Sequence, residues 1–457
     1  MADARPFRGI RYTSAAGLLT ALAAPPYDVI SEEQRQRLAA KSPRNIVHLI
    51  LPQGGKERYR LAAERLETWF RDSHIAQERQ PAFYLYRQTF AGPDGRPQTR
   101  TGFLGLLRLE GAGGSVRHHE QTLTKPLEDR LRLIRATHTQ LSPIFVLYSD
   151  PQARATRALE STATQDRPGP RVRPAARMSR RSTELSSATA QEYSDEEGVR
   201  HWALPIMDEQ VIGEVRATLD PLPILIADGH HRYSAALEYR DRMKKAFDLN
   251  DPELPENFVL TCFVRAEDPG LLVLPTHRVV PASAPSDGRS PKEILAALSA
   301  RFEVESFDLP AGAHGMSPLG PAKSESPGRV VIGVRFAGDP RLHVLRIKAG
   351  DAPFARRSLE PALRGLDVAV LHALVLKPEF GIDDAALKAG GRLDYERDAG
   401  RAAQAVEAGE ARAAFFLRPV PIPSLFDITG SGLLLPQKST FFTPKLGTGL
   451  VMYRLGV

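Results

Sequence analysis

Apolar residues recur every three or four positions in several stretches of the chain, as they do on the buried face of a helix. This spacing predicts helices at residues 56–73, 127–140 and 232–247. Two more helices are predicted at residues 31–42 and 290–302, because each stretch opens on a serine that can cap the first turn.

Other stretches are rich in β-branched and aromatic residues and are bounded by turn-forming sequences. Residues 82–90 and 99–110 flank the turn-like "AGPDGRPQ", and residues 330–337 precede 342–349 across "GDPR". The stretch "LLVLPTHRVV" (271–280) predicts a single strand. Such hairpin-like pairs beside helices predict an α+β fold with mixed and antiparallel sheets and packed helices, rather than a doubly wound sheet.

Shifts in composition divide the chain into five predicted regions. Residues 1–150 form an N-terminal α+β region, and 151–200, rich in Arg, Ser, Thr and Pro, form a loop-rich insertion. Residues 201–308 form a third region, 309–329 a Gly/Pro/Ser-rich loop, and 330–457 a C-terminal α+β region that completes the site.

Composition narrows the class of protein. Of the 457 residues, 42% are hydrophobic and 25% are charged, which is the balance of a soluble globular protein. The longest apolar runs are far shorter than the roughly 20 residues that span a bilayer. The N-terminus lacks the apolar core of a secretion signal, so we expect a cytoplasmic protein without membrane contact. A single cysteine, Cys262, excludes an internal disulfide framework and a zinc site built from cysteines.

The net charge of +7 and the pI of about 9.5 suit either nucleic acid or phosphate-bearing small molecules as partners. The one dense basic cluster, residues 167–181, has no aromatic residue to stack on a base and predicts a solvated loop. We therefore expect a small-molecule substrate and a phosphate donor rather than nucleic acid, and we leave the oligomeric state open.

The stretch "ILIADGHHRYSAAL" (224–237) concentrates titratable residues between a predicted strand and a predicted helix. Gly229 allows a tight turn after Asp228, and the helix then starts near His230. Free backbone amides and the positive end of the helix dipole would face beyond the strand end. This arrangement predicts an anion site.

Arg232, His230 and His231 would add to the positive potential of this site. Asp228 would repel an anion, so its presence suggests that it holds a divalent metal or takes a proton from a hydroxyl nucleophile. The alternative is structural: Asp228 caps the helix, and the histidines are ordinary polar residues of the surface.

A second motif, "HHEQT", follows a Gly-rich turn and contains His119 and Glu120. Glu120 could be a general base or a second metal ligand, because phosphoryl transfer needs a carboxylate that orients the hydroxyl or holds Mg²⁺. A polar strand edge is the alternative.

Farther on, Asp129 and Arg130 are neighbours on a predicted helix. One of them is expected to form a structural ion pair, and Arg130 is a possible phosphate ligand.

Two further motifs lie in the second half of the chain. Thr276, His277 and Arg278 are expected at the end of a strand, where side chains can converge on a ligand, unless they only form the exit from that strand. The other motif, "PQKSTFFTPK", resembles a phosphate loop without Walker glycines. Its two lysines, Lys438 and Lys445, and the hydroxyls of Ser439 and Thr440 could clamp a polyphosphate, and the candidate ligands are Lys438, Ser439 and Thr440.

The run "DGHHR" resembles the box of the ParB/sulfiredoxin superfamily, and above all that of its archaeal free serine kinases. The resemblance implies a ParB/sulfiredoxin-like core around the strand-turn-helix of residues 224–246. It implies that Asp228 is the catalytic or hydroxyl-orienting carboxylate, and that Gly229, His230, His231 and Arg232 grip phosphate. Sulfinic-acid reduction is not implied, because His230 occupies the position of sulfiredoxin's catalytic cysteine.

A more extensive resemblance covers nearly the whole chain. Blocks from "PFRGIRY" through "APPYDVIS", "HHEQTLTKPLEDRLRLIRAT" and "ADGHHRYSAALEYR" to "PQKSTFFTPKLGTGLV" are similar to those of the domain-of-unknown-function family numbered 1015. Leu127 departs from the lysine expected before "EDR". This family implies no reaction of its own.

Together these features give the hypothesis of a phosphotransferase that acts on a small hydroxyl compound, with free L-serine preferred. ATP, ADP or pyrophosphate would be the donor, with Mg²⁺ held by Asp228 and Glu120. A phosphoserine phosphatase and a ParB-like nucleotide or nucleic-acid binding module remain alternatives. The predicted roles are as follows: catalysis by Asp228, Glu120 and His231; phosphate binding by Gly229, His230, Arg232, Arg278, Lys438, Ser439 and Thr440; and substrate binding by His119, Thr276 and His277.

Overall fold

The structure is a computed structural model of the chain. It describes residues 2–111, 113–120, 124–165, 184–185, 189–247, 251–308, 319, 330–348 and 359–456. The basic stretch 167–181 and, apart from Leu319, the predicted loop 309–329 lie outside the described residues. The fold is α+β with mixed and antiparallel sheets, as predicted.

The strands of the described residues are numbered in chain order. They are β1 (Ala4–Arg5), β2 (Ile10–Tyr12), β3 (Ile75–Glu78), β4 (Phe83–Ala91), β5 (Pro97–Arg108), β6 (Val116–Arg117), β7 (Thr139–Gln140), β8 (Ile144–Tyr148), β9 (Glu184–Leu185), β10 (Gln191–Ser194), β11 (Arg200–Ile206), β12 (Ile224–Asp228), β13 (Phe258–Arg265), β14 (Leu272–Leu274), β15 (His277–Pro281), β16 (Phe302–Phe307), β17 (Val331–Phe336), β18 (Leu342–Ile347), β19 (Asp394–Glu396), β20 (Ala411–Phe416), β21 (Phe441–Thr443) and β22 (Tyr453–Arg454).

The helices include every one predicted from the apolar spacing. They are α1 (Leu19–Leu22), α2 (Glu32–Lys41), α3 (Val47–Ile50), α4 (Arg58–Arg71), α5 (Thr124–Thr137), α6 (Arg154–Gln165), α7 (Glu209–Leu219), α8 (His230–Phe247), α9 (Pro291–Leu298), α10 (Asp367–Leu371), α11 (Lys377–Phe380), α12 (Asp384–Ala389), α13 (Ala399–Glu407) and α14 (Ile422–Gly430). The predicted serine caps are present, since Ser31 accepts from Gln34 and Ser290 forms a capping box with Glu293.

The chain folds into two compact units. The first contains residues Met1–Leu271 and Pro444–Val457, and the second contains Leu272–Thr443. The second unit is therefore inserted into the first in the order of the sequence. The five regions predicted from composition stay a prediction.

The first unit is built on a mixed sheet of order β10-β11-β4-β5-β13-β8-β12-β6, with β1 alongside β5. Strand β8 is buried over its whole length because it lies between β13 and β12, which explains its unbroken apolar run. Strand β12 is parallel to β6, and a bulge shifts its register against β8 between Ile226 and Asp228. Helices α5 and α8 pack against each other in this unit.

The second unit contains an antiparallel sheet of order β16-β18-β17-β20-β15-β19. The hairpin predicted around "GDPR" is confirmed as β17 and β18. The single strand predicted for residues 271–280 is wrong, because the chain breaks into β14, which pairs with β21, and β15, which pairs with β19 and β20. His277 and Arg278 thus begin a strand instead of ending one.

Candidate functional site

The strand-turn-helix at residues 224–247 has the geometry that its sequence predicts. Strand β12 is buried up to Ala227 and ends at Asp228, and α8 begins at His230. Gly229 has a φ of +91°, a backbone conformation that L side chains rarely adopt. A Cβ atom at this position would lie 3.1 Å from the Arg232 guanidinium, so a side chain here would also have to displace that group.

The first turn of α8 presents its amides at the end of β12. The first helical hydrogen bond of α8 runs from the Tyr233 amide to the Gly229 carbonyl at 3.0 Å. Within the described part of the chain, no protein acceptor meets the backbone amides of His230 and Arg232. These amides and the helix dipole make the turn electropositive.

Asp228 lies between two cationic side chains. Its Oδ2 accepts a hydrogen bond from Arg232 Nη2 at 3.0 Å, and its Oδ1 accepts one from Lys445 Nζ at 3.3 Å. Burial alone would raise the pKa of Asp228, but the charges of Lys445 and Arg232 outweigh it and hold this pKa well below its usual value. Asp228 is therefore a permanent anion and a weak proton acceptor, which suits it to orient a hydroxyl rather than to deprotonate one.

Lys445 is the member of this cluster whose contact with Asp228 the sequence did not predict. Its carbonyl accepts a hydrogen bond from Gln88 Nε2 at 2.7 Å, and the preceding carbonyl, of Pro444, accepts one from Arg100 Nη2 at 2.6 Å. The Gly447 amide donates to the Tyr86 hydroxyl at 3.1 Å. These contacts fix the backbone that carries the lysine. The signal in the sequence was its place in the "PQKSTFFTPK" block, whose two lysines were predicted as a possible polyphosphate clamp.

Three histidine rings pack together beside Asp228. Parallel pairing of β6 with β12 carries His118 and His119 to the strand end, and the His119 ring donates from Nδ1 to the Ile226 carbonyl at 2.7 Å. The ring centroid of His230 lies 4.7 Å from that of His119 and 5.9 Å from that of His118. Burial lowers the pKa of all three rings, so they are neutral near pH 7.

His230 is the buried member of the adjacent pair, with 8% of its surface exposed, whereas His231 is half-buried. No hydrogen-bond partner for His230 Nε2 occurs among the described residues. Buried polar atoms are usually satisfied, so this nitrogen is a position where a ligand could supply the missing partner.

Glu120 reaches the same cluster. Its Oε1 lies 3.8 Å from His119 Nε2, and its side chain is 19% exposed. Since His119 also bonds to the backbone of β12 next to Asp228, the two predicted motifs converge at one sheet edge. The structure thus brings Asp228, Gly229, His230, Arg232, His119 and Glu120 together.

The carboxylates do not form a metal centre by themselves. No group of three or more His, Cys, Asp or Glu residues suited to a metal ion is found in the part of the chain that the structure describes. Both oxygens of Asp228 already face cations. Mg²⁺ commonly takes only one or two carboxylates and fills its shell with phosphate oxygens and water. The metal-binding role predicted for Asp228 and Glu120 stays a prediction.

The remaining predicted residues belong to the second unit. Arg278 is fully buried and donates to the backbone carbonyls of Thr276 at 2.7 Å, Lys438 at 3.1 Å and Gln437 at 3.0 Å. His277 Nδ1 accepts from the Leu417 amide at 3.2 Å. These contacts give Arg278 and His277 a role in holding the fold of this unit.

Around them, Ser439 donates to the Pro436 carbonyl, Thr440 is half-buried, and Lys438 is exposed at a φ of +56°. The phosphate-binding roles predicted for Arg278, Lys438, Ser439 and Thr440 stay predictions, as do the substrate-binding roles of Thr276 and His277.

A family model described as "Protein of unknown function (DUF1015)" matches residues 4–369 of the chain. No curated protein matches it. In the described residues, no helix is long and apolar enough to cross a bilayer.

Solved structures show weak likeness. A conserved hypothetical protein from Pyrococcus furiosus is 11% identical, covers 74% of this chain and 89% of its own, and has a TM-score of 0.32. A free serine kinase in complex with AMP is 10% identical and has a TM-score of 0.34. The match covers 77% of this chain and 90% of the kinase chain. SbnI with a C-terminal truncation, from Staphylococcus aureus, is 12% identical and has a TM-score of 0.33. The match covers 76% of this chain and 86% of the SbnI chain. At such TM-scores, neither reaction nor ligand can be carried over to this chain.

Proposed function

The chain belongs to the DUF1015 family, whose description assigns no reaction, and we propose from the site itself that the protein is a phosphotransferase. It moves a phosphoryl group between a nucleotide or pyrophosphate and a small hydroxyl compound, with free L-serine as the preferred acceptor. The acceptor is the least constrained part of the proposal, since it derives from the resemblance of the "DGHHR" run to free serine kinases.

One observation carries the proposal: Asp228 is an ionised carboxylate between Arg232 and Lys445 at the start of α8. Two cations flank this carboxylate next to the backbone amides of the helix. Phosphoryl transfer depends on positioning and on charge stabilisation around the transferred group. The amides and Arg232 supply this stabilisation, and the carboxylate can orient an attacking hydroxyl.

In the proposed reaction, the acceptor hydroxyl oxygen bonds to phosphorus while the bond from phosphorus to the leaving oxygen of the donor breaks. The hydroxyl proton passes to Glu120, because the lowered pKa of Asp228 makes Asp228 a weak base. Asp228 orients the hydroxyl, and His119 contacts the substrate from beside Glu120. Gly229, His230 and Arg232 face the transferred phosphoryl group, and the half-buried His231 remains a candidate at the rim.

A magnesium ion bound to the donor phosphates would find its protein ligands in Asp228 and Glu120, and it would neutralise charge on those phosphates. The reverse direction, with water as acceptor, would make the protein a phosphoserine phosphatase. The same residues serve both directions, so the direction is decided by experiment.

The test is to incubate the purified protein and Mg²⁺ with L-serine and ATP, ADP or pyrophosphate in turn, and to follow the phosphorus NMR spectrum. We expect a phosphoserine signal with at least one donor and its loss in Asp228→Asn. Phosphate release from phosphoserine would support the phosphatase direction. Neither activity with any donor would overturn the proposal.

DNA binding is measured in the same preparation at rising salt. Binding that weakens steeply with salt, together with an absence of turnover, would favour the ParB-like binding module, because phosphate contacts release counterions.

A further inference from the structure

A cavity of about 150 Å³ lies in the first unit, where the starts of α2 and α4 meet α5. Arg232 and Lys445, which contact Asp228, do not line it, so it is separate from the proposed phosphoryl site. Its charged lining consists of three arginines and two carboxylates: Arg35, Arg58, Arg130, Glu32 and Asp129.

Asp129 joins two of these arginines. Its Oδ1 accepts from Arg58 Nη2 at 2.7 Å and from the Tyr59 hydroxyl at 2.7 Å. Its Oδ2 accepts from Arg130 Nε at 2.9 Å, so the ion pair expected between these two neighbours is present. The guanidinium carbon of Arg58 also lies 4.7 Å from the ring centroid of Tyr59. These contacts hold both guanidinium groups in place and leave Asp129 little capacity to accept from a ligand.

The hydrogen-bonding capacity that remains in the wall belongs to donors. Glu32 accepts from Arg35 Nε at 3.0 Å and from Nη2 at 2.9 Å. Within the described residues, no acceptor meets Nη1 of Arg35 or Nη1 of Arg58. Ser31 accepts from the Gln34 amide at 3.1 Å, which leaves its hydroxyl proton to donate. A wall with paired carboxylates and with N–H and O–H groups to spare favours an oxyanion as ligand.

We propose that this cavity binds a small oxyanion, either inorganic phosphate or a short carboxylate, against Arg35 and Arg58. Guanidinium groups bind both kinds of oxyanion through paired N–H donors. A cavity of about 150 Å³ holds a ligand of about six non-hydrogen atoms, so phosphate and acetate fit, whereas pyrophosphate and nucleotides are too large. This site goes beyond the proposed function and does not depend on it.

The experiment is a calorimetric titration of the full chain with inorganic phosphate and with acetate, at constant ionic strength. The variants are Arg35→Met, Arg58→Met and the matched control Arg60→Met, whose arginine lies on the same helix as Arg58, is exposed and pairs with Glu57 and Glu64. We expect at least one anion to bind the wild type, and to bind about tenfold more weakly in Arg35→Met and Arg58→Met. Arg60→Met should change the affinity by less than about twofold.

The two anions distinguish the source of the ligand. Binding of phosphate alone would assign the cavity to phosphate, binding of acetate alone to a carboxylate, and binding of both to either oxyanion. No binding of either anion to the wild type would overturn the inference.

Two further outcomes would also overturn it. An equal loss in Arg60→Met would show a general effect of charge, and a loss confined to Lys445→Met would place the anion at the Asp228 cluster. These titrations need no turnover, so their failure and the failure of the proposed phosphoryl transfer can be told apart.

Chemical labelling keeps the inference testable should the variants fail to fold. Phenylglyoxal modifies accessible guanidinium groups, and the modified peptides of the wild-type chain are mapped by mass spectrometry with and without phosphate or acetate. The anion should slow modification of Arg35 and Arg58 and leave that of Arg60 unchanged. Protection confined to other arginines, or no protection at all, would contradict the inference.

Discussion

Two clusters of the molecule contain an arginine next to a histidine, and they use the arginine differently. At the start of α8, Arg232 donates to the carboxylate of Asp228, which it shares with Lys445. In the second unit, Arg278 is fully buried and donates to three backbone carbonyls. Arg232 also donates to the Pro143 carbonyl, so its guanidinium joins an ionised carboxylate to the backbone. The hydrogen bonds of the Arg278 guanidinium run instead to backbone carbonyls and to a histidine ring.

The difference shows what separates a candidate site from a structural clamp. Three backbone carbonyls and the His372 ring accept hydrogen bonds from Arg278, whereas the cluster at Asp228 keeps the buried Nε2 of His230, which has no partner among the described residues. Similar residue types therefore predict binding only where the backbone leaves their hydrogen-bonding capacity available. Four predictions can break or sharpen this comparison.

The largest effect is expected for Arg278→Met. Removal of the guanidinium leaves buried carbonyls without donors, so the free energy of unfolding should fall by about 3 kcal/mol in urea denaturation. The affinity of the folded protein for pyrophosphate should be unchanged. A loss of affinity with full stability would make Arg278 a ligand residue and would break the comparison.

The second largest effect is the loss of stability at acid pH that protonation of His277, beside Arg278, should cause. Burial, aided by the charge of Arg278, lowers the pKa of His277 to about 4. The unfolded chain binds the proton more readily, so the stability that neutral His277 contributes is complete above pH 6.5 and is lost as the pH falls toward about 4. The loss is at most about 3 kcal/mol.

Urea denaturation between pH 7.5 and 4.5 measures this contribution. His277→Asn keeps an acceptor for the Leu417 amide but cannot titrate, so its stability should depend less on pH in that window. The same pH dependence in both proteins would contradict the assignment.

In the first cluster, Asp228→Asn should lower the rate of phosphoserine formation about 100-fold, because the anion that organises Arg232 and Lys445 is lost. The matched control is Asp339→Asn in the second unit, where Arg341 also pairs with the carboxylate. Phosphorus NMR should find the control fully active, and equal losses in both would show a general effect of charge.

The smallest effect contrasts two lysines. Lys445→Met should weaken pyrophosphate binding about tenfold in calorimetry, since Nζ lies 3.3 Å from Asp228 Oδ1. Lys438→Met, at an exposed position in the second unit, should change it by less than about twofold. A tenfold loss in Lys438→Met would instead favour the phosphate role predicted from its motif.

Local patterns predicted much of the fold. The apolar run before Asp228, the glycine and the helical spacing after it placed β12 and α8 correctly, and Ser290 marked the start of α9. The strand predicted across residues 271–280 was wrong because Pro275 and Thr276 interrupt it, so that β14 and β15 enter different sheets.

The site was harder to predict because its parts are distant in sequence. Lys445 is 217 positions from Asp228, and no local pattern distinguishes it from Lys438. The hydrogen bonds from Arg278 to backbone carbonyls could not be predicted either, because every residue has a carbonyl whatever its side chain. The convergence of His119 with His230 follows from the pairing of β6 and β12, which involves two residues of each strand.

The return of Pro444–Val457 to the first unit has a consequence for protein synthesis. A ribosome must complete all of residues 272–443 before it reaches the lysine that contacts Asp228. Nascent chains, which emerge at about 5–20 residues per second, would pass through a stage with the "DGHHR" turn made but its lysine absent. Translation thus postpones assembly of this charge cluster until the inserted unit has been made.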